Sequence, residues 1–579
     1  MKLNILLAWC CIVVLSDSAA NAQAPPFEWV RSAGGTNVGP SYNNDNVTSL
    51  AMDSSGNIFI AGIFESASMA LGSVHLDNPR YDQSIKEGNP CLFIAKYDPS
   101  GNCTWAKVFG VAINQLYSEC PVIAADQTGN VYIAGVYGNS LDGSAIFGAV
   151  TIKGTGMFLV KLDPDGTPLW GKSDDGISTG NGYVDGATCI ATDAQGNVYE
   201  GAEFFAPKVT FGATTLKDTD TLGISSDIVL VKYDPSGNVV WAKSAGGSAS
   251  DAPTSISIDH AGNLYLAGIS YSSSIAFGSI TLSPPAGYLN TGDFIAKYSS
   301  AGDCLWAKRS ALGATVTSVA SDETGVYMTG ESSSPEIFVS KYSPSGDLLW
   351  FATPKGTANS YGDVSKSIAV GPSGTVDITG YFLSSTLAFG STTLTVSGSP
   401  VTGSIFAAQY DAAGNALWAK SAAATGFSND YSFATTTDRH GAVYIAGGFT
   451  SRSILFDQVP IASADPTSPA APENLFLAKI AAPATNTVAN PITPAYFNLA
   501  CSPNPTTDRV SLLYSSEREG SAILTITDIL DRVILSYEFN AHIGTNEETI
   551  NLASIPEGSY YFLLRCDSHA SKTKVIVKH

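Results

Sequence analysis

Positive charge is scarce in this chain. Lys and Arg number 30 against 51 Asp and Glu, a formal net charge of −21, and only 14% of the 579 residues carry charge. No Lys/Arg run or basic stripe reverses that balance locally. A polyanion would be repelled by the field of the whole chain, which argues against nucleic acid as a partner. Histidine is equally sparse. His75, His260, His440, His542, His569 and His579 are scattered, and His260 and His440 fall inside turns. There is no HExxH, GxSxG elbow, P-loop or dinucleotide fingerprint, so no catalytic or cofactor-binding residue is assigned and no cofactor is required.

Apolar runs long enough to span a bilayer are also missing after the N-terminus. The first 22 residues, with Lys2, an apolar stretch from about Ile5 to Leu15 and the small-residue end Ala20-Asn21-Ala22, read as a cleavable signal peptide. Its removal takes Cys10 and Cys11 and leaves Cys91, Cys103, Cys120, Cys189, Cys304, Cys501 and Cys566. None forms a CxxC or a Cys/His pair at zinc spacing. Export permits disulfides, with Cys501 and Cys566 one candidate pair; buried free thiols are the alternative.

What the chain has in abundance is glycine in repeated turns. One signature reads DSSGN at Asp53, DQTGN at Asp126, DAQGN at Asp193, DHAGN at Asp259, DETGV at Asp322, GPSGT at Gly371 and DRHGA at Asp438. A second reads DPSGN at Asp98, DPDGT at Asp163, DPSGN at Asp234, SSAGD at Ser299, SPSGD at Ser343 and DAAGN at Asp411. Each lies between short alternating or apolar runs. That is the pattern of a hairpin whose glycine takes positive φ while Asp or Ser caps the turn. The DxSGN turns lack the alternating carboxylates and distal acid of an EF-hand, so they read as turns rather than calcium loops.

A tryptophan strand follows each second turn, at Trp105, Trp170, Trp241, Trp306, Trp350 and Trp418, and a seventh copy at Trp29 has no turn before it. The last repeat ends in LFLAKI (475–480) with no tryptophan strand after it. Pairing the first strand with the last unit leaves neither with a bare edge. The expected fold is therefore all-β: a seven-bladed β-propeller closed by N-terminal strand exchange. Trp-to-Trp spacings of 76, 65, 71, 65, 44 and 68 residues make the fifth unit the short one. It lacks the FGSITL-type segment seen at Phe211, Phe277 and Phe389, so its face should be the barest. The aromatic stripe follows the repeat period and reads as core.

The combination of SIAxD, SGN, VYIAG, FIAKYD and WAKS resembles the bacterial SBBP family of β-propeller repeats over about Phe27 to Ile480, within a propeller domain of 23–480, with NHL-type repeats the runner-up. The resemblance implies a scaffold and transfers no catalytic residue. A Pro/Ala/Thr-rich linker spans 481–497. Residues 498–579 read as a small β-sandwich. This segment resembles the C-terminal sorting domain of the type IX secretion system of Bacteroidota. The matching residues are Pro503, Asn504, Pro505 and Asp508, an ITD strand, Gly558 and Tyr560, and the terminal Val577-Lys578. Ser502 stands where an aromatic is usual, and Asp531 where a turn glycine is usual. The resemblance implies handling by the type IX machinery and a secreted or outer cell-surface location.

One set of acids precedes the first strands of the units: Asp45, Glu119, Asp185, Asp251, Asp363 and Asp430. If they converge on one face they form a carboxylate ring suited to calcium or a cationic ligand group. Otherwise each accepts hydrogen bonds from its own glycine-rich loop. The sequence leads to a non-catalytic binding protein whose partner is an extracellular protein or glycan. The alternatives are a polysaccharide-active enzyme using paired acids and a structural cell-surface component.

Overall fold

The computed structural model describes residues 24–482 and 500–578 except 36–44, 83–86, 111–120, 138–143, 154–155, 174–185, 220–224, 284–291, 310–313, 332–336, 358–361, 397–402, 425–429, 465–472, 503–505, 507–508, 517–519, 529–531, 543, 554 and 567–568. The segment read as a signal peptide and most of the segment read as a linker lie outside the described residues. The chain divides into two compact units, Met1–Ala484 and Thr485–His579.

Apart from one 3₁₀ turn at Pro372–Gly374, the described elements are all strands. Six antiparallel meanders share one plan. Sheet one comprises Asn46–Met52, Ile58–Phe64, Cys91–Tyr97 and Cys103–Phe109, hydrogen-bonded in that order. The first strands of sheets two to six are Val122–Ala125, Gly186–Thr192, Asp251–Ile258, Thr315–Asp322 and Val364–Val370. Their fourth strands are Pro168–Ser173, Val239–Gly247, Cys304–Arg309, Leu348–Ala352 and Ala416–Ser421, each carrying its tryptophan.

Sheet seven breaks the plan. Asp430–Thr437, Val443–Phe449 and Asn474–Ile480 supply three strands, and Phe27–Ala33 adds as the fourth, with Val30 opposite Ala478. The first strand of each sheet packs against that of the next, and that of sheet one packs against that of sheet seven.

Second strands such as Ile58–Phe64, Val131–Tyr137 and Val443–Phe449 are buried at every position. This is why they read as continuous apolar runs rather than alternating ones: both faces are covered. Six two-stranded hairpins, including Ser68–Leu71 with Val74–Asp77, lie between second and third strands in the chain. In sheet five only five residues join Gly325–Glu331 to Ile337–Tyr342, too few for a hairpin. Its fourth strand consequently leaves Leu348 and Phe351 exposed, where their counterparts Cys304 and Ala307 in sheet four are partly covered.

The smaller unit holds a three-stranded sheet, Ala500–Ser502, Arg509–Ser516 and Gly544–Asn551, and a four-stranded one. The latter runs Val533–Ala541, Gly520–Thr527, Gly558–Cys566, His569–Val577. Leu512 and Ile550 from the first share one core with Leu524, Phe562 and Val575 from the second.

Candidate functional site

The repeated turns use their polar groups internally. In the first type, Asp53 Oδ1 accepts from the amides of Ser55 and Asn57, both at 2.9 Å, and Oδ2 accepts from Asn57 Nδ2 at 2.7 Å. The second type repeats the pattern at Asp98 with Ser100 and Asn102. These carboxylates act as local caps that hold the chain reversal around a positive-φ glycine, φ +81° at Gly56.

The second turns also form the seam between sheets. The tryptophan of one sheet lies on the turn glycine of the next: Trp105 on Gly166, Trp170 on Gly237, Trp241 on Gly302, Trp306 on Gly346 and Trp350 on Gly414. Each indole Nε1 donates to a carbonyl of that turn, as Trp105 does to Pro164 at 3.1 Å and Trp306 to Pro344 at 3.0 Å. Beneath them a lysine from the third strand sits over an aromatic of the second. Lys232 over Tyr199, at 4.7 Å from the ring centroid, is one of six such pairs. Trp29, on the N-terminal strand of sheet seven, lies on Gly101 of sheet one, and Arg31 Nε donates to the Gly101 carbonyl at 2.8 Å.

The junction of sheets six and seven cannot use this seam. The fourth strand of sheet seven arrives from the N-terminus, so that sheet has no second turn to receive Trp418. Trp418 is instead buried, and its Nε1 donates to Gln409 Oε1 at 3.0 Å. Gln409 replaces the repeated lysine and Asp377 the repeated aromatic. Gln409 Nε2 donates to Asp377 Oδ1 at 2.8 Å, and Thr437 Oγ1 to Asp377 Oδ2 at 2.7 Å. Burial pushes the Asp377 carboxyl up to about 7, against the opposing effect of those two hydrogen bonds. Nearby, Lys420 Nζ donates to the Pro25 carbonyl at 2.6 Å and pairs with Asp457, which also accepts from the Phe27 amide. The start of the N-terminal strand is thereby anchored by the repeat lysine Lys420 and by Asp457, which stands where the corresponding hairpin turns carry glycine. The sequence signal was available as two departures from the repeat columns.

Of the six acids preceding first strands, Glu119 and Asp185 lie outside the described residues. The other four are buried within their own sheets. Asp363 Oδ1 accepts from the amides of Leu383 and Ser384, at 2.9 and 3.0 Å, and Oδ2 accepts from Ser384 Oγ at 2.7 Å. Asp45 does the same with Glu65 and Ser66 and also accepts from the Gly35 amide; Asp430 does so with Thr450 and Ser451. Asp251 accepts from Ser272 Oγ at 2.8 Å. Each clasp joins an acid to the serine 21 residues later, a spacing present in the sequence but overlooked. Among the described residues no group of three or more His, Cys, Asp or Glu side chains could hold a metal ion.

Burial raises the pKa of Asp251 to about 6, against hydrogen bonds from Ser270 and Ser272, and raises that of Asp45. It also raises Glu473 to about 7, reinforced by the charge of Asp45. The described cysteines Cys91, Cys103, Cys189 and Cys304 are free thiols, two of them buried. Cys120 and the side chains of Cys501 and Cys566 lie outside what is described.

A cavity of about 210 Å³ is lined by first-strand residues from all seven sheets. Hydroxyls join its wall across the sheet boundaries. Thr48 Oγ1 donates to the Pro121 carbonyl at 2.6 Å, Thr188 to Pro253 at 2.8 Å and Thr317 to Ser365 at 2.7 Å.

In the smaller unit Pro503, Asn504, Pro505 and Asp508 are outside the described residues. Gly558 opens the strand opposite Val577, and buried Tyr560 donates to the Pro556 carbonyl at 2.8 Å. The Lys578 amide donates to the Thr506 carbonyl at 2.9 Å, while its side chain is exposed.

Residues 501–578 match the family described as secretion system C-terminal sorting domain. A domain of this family implies export through the type IX secretion system, to the cell surface or beyond. A WD repeat-containing protein of Acanthamoeba polyphaga mimivirus is 23% identical over 205 residues, covering 31% of this chain and 14% of the viral protein. The chain thus matches about a seventh of that relative's length. Its repeats are propeller-like.

Among solved structures, a protein of unknown function from Bacteroides caccae has a TM-score of 0.29 at 10% identity, over 57% of this chain and 89% of that one. A puromycin-hydrolyzing peptidase of Mycobacterium tuberculosis has a TM-score of 0.34 at 9% identity, over 81% and 57%.

Proposed function

We propose that this chain is an exported binding protein. Its larger part is a seven-bladed β-propeller of SBBP-type repeats, closed by the N-terminal strand, and it engages an extracellular protein or glycan through loops without catalysing a reaction. Export rests on one observation, the sorting-domain match over 501–578. The propeller reading is supported by the uniform meanders, by sequential packing of their first strands, and by the residues that replace the Trp seam at one junction. The binding reading is supported by the fate of the repeated carboxylates. They accept hydrogen bonds within turns and clasps, which is a structural use, and the loops between sheets are left to carry specificity.

Two experiments test the proposal. In a bacterium with type IX secretion, a reporter behind a signal peptide and ahead of 498–579 should reach the medium or the outer surface, and removal of those residues should strand it in the periplasm. Periplasmic retention of both would refute the export reading. The chain from Gln23 onward, probed on protein and glycan arrays with and without calcium, should give saturable hits that do not need calcium. Turnover of a polysaccharide would instead establish the enzymatic alternative.

A further inference from the structure

The first and second turns of a meander lie at the same end of its sheet, and several neighbouring sheets are joined there by hydroxyls. Thr192 and Thr437, last in the first strands of sheets three and seven, reach the preceding sheet. Thr192 Oγ1 donates to the Ala125 carbonyl at 2.8 Å and Thr437 Oγ1 to Asp377 Oδ2 at 2.7 Å. Where sheet one meets sheet seven, the corresponding residue is Met52, which has no hydroxyl. Trp29 Nε1 is also buried at this junction without a hydrogen-bond partner, whereas five other tryptophans donate to a turn carbonyl. A recess of about 480 Å³ opens here, bordered by the turns at Asp53, Asp126 and Asp438 and by Pro99. Its size falls within the roughly 300–1,000 Å³ of small-molecule sites.

The turn that sheet seven contributes, DRHGA from Asp438, departs from the repeat. In four first turns an asparagine donates its Nδ2 to Oδ2 of the capping aspartate, as Asn57 does to Asp53 and Asn130 to Asp126, both at 2.7 Å. Ala442 takes the place of that asparagine in sheet seven. Asp438 still caps the turn through Oδ1, which accepts from the amides of His440 and Ala442 at 2.8 and 2.9 Å. Its Oδ2 accepts from Tyr444 Oη alone, at 3.2 Å, and keeps acceptor capacity. Next to it, Arg439 stands where sheet one has Ser54 and sheet two Gln127. Arg439 is exposed, and its one described hydrogen bond runs from Nε to His440 Nε2 at 3.2 Å, which leaves the donors of both terminal nitrogens to solvent.

The charges around the recess are mixed. Asp53, Asp126 and Asp438 face Arg439 and Lys479, and Lys479 is itself paired with Glu28 at 2.8 Å. An anion would meet the carboxylates and a cation the guanidinium, so neither sign is selected. Uncharged hydroxyls suit this mixture. They donate to a carboxylate and accept from a guanidinium, in charge-assisted bonds roughly twice as strong as neutral ones.

We infer that this recess binds a neutral oligosaccharide, whose hydroxyls donate to Asp438 Oδ2 and whose oxygens accept from Arg439. The loops that join one sheet to the next lie at the other end of the sheets. This site is therefore additional to the binding proposed for them.

The test is calorimetric titration of the chain from Gln23 onward with maltotriose, cellotriose, xylotriose and mannotriose. Trigalacturonate and the glucosamine trimer serve as charged counterparts. Arg439→Ser gives the turn the residue that sheet one carries, and Asp438→Asn keeps the oxygen that caps the turn while replacing the second acceptor with a donor. Both variants should fold with an unfolding midpoint close to that of the unaltered chain. At least one neutral trisaccharide should bind one-to-one and at least tenfold more tightly than either charged trimer. Arg439→Ser should weaken that binding at least tenfold and Asp438→Asn several-fold. Absence of saturable binding by all four neutral sugars, or equal binding of a charged trimer, would overturn the assignment. Undiminished affinity in either folded variant would do so too, and would assign the sugar to the loops at the other end.

Discussion

Gly302 lies directly beneath Trp241. A Cβ on the glycine would stand 2.9 Å from the indole Cδ2, and the indole Nε1 donates to the Ser300 carbonyl two residues before it, at 3.1 Å. The same relationship joins one sheet to the next at five junctions and, through Trp29 and Gly101, joins the seventh to the first. The glycine is needed twice, for its φ of +83° and for the room its missing side chain leaves.

Gly302→Ala should therefore cost more than conformational strain alone, about 2–4 kcal/mol, where a left-handed alanine by itself costs about 1–2. Gly278→Ala is the matched control, because its φ is +63° and nothing lies within 4 Å of the added methyl. Urea titration of both variants, followed by tryptophan fluorescence, should show the larger loss at Gly302. Equal losses would mean that the indole yields freely.

Asp363→Ala strips the acceptor from one buried and one part-buried amide and from a hydroxyl, and should destabilise the larger unit by about 2–4 kcal/mol. Ser384→Ala removes a single donor and should cost about 1 kcal/mol. Calcium or EDTA should leave the wild-type thermal midpoint where it was. A calcium-dependent rise abolished by Asp363→Asn would show that these carboxylates are ligands.

The pH dependence has a definite sign. Asp377 and Glu473 titrate near 7 and Asp251 near 6 in the folded chain, all above the value for an exposed carboxyl. The folded state then holds protons that the unfolded state has released. Their contribution to stability is complete below about pH 4 and is lost as pH climbs through 6 to 7. Chemical denaturation between pH 5 and 8 should show stability falling as pH rises, and Asp377→Asn, permanently neutral, should flatten part of that fall. A slope unchanged in Asp377→Asn would place the linked protons elsewhere.

Deleting Phe27–Ala33 removes the partner of Asn474–Ile480 and uncovers the turn at Gly101. The shortened protein should unfold at a clearly lower temperature and associate through the bared strand edge. Light scattering and calorimetry would detect both. An unchanged midpoint would show that the added strand is dispensable.

The turns were plain in the sequence because Asp-x-x-Gly-Asn encodes its own geometry within five residues. The exposed strand of the fifth sheet was legible for a similar reason: a missing segment of chain cannot cover anything. The fate of Asp45, Asp251, Asp363 and Asp430 was harder to read. Whether a carboxylate faces solvent or closes on a serine 21 positions later depends on strand register, and that is settled by pairing between segments. Asp377 and Gln409 stood out as breaks in two columns, yet their meaning emerges only where Trp418 meets a sheet without its usual turn. Glu119, Asp185 and the Pro503-Asn504-Pro505 stretch lie outside the described residues.

The strand that completes the seventh sheet also sets an order in time. Val30 and its partner Ala478 are 448 positions apart, so Phe27–Ala33 finds this partner only after Asn474–Ile480 has been synthesised. The sorting segment, 501–578, lies later still. Any polypeptide long enough to carry the export signal therefore already contains the strand that the N-terminus requires. A chain terminated before Asn474 lacks both, so the sorting segment is made only on chains that already contain the strand with which Phe27–Ala33 pairs.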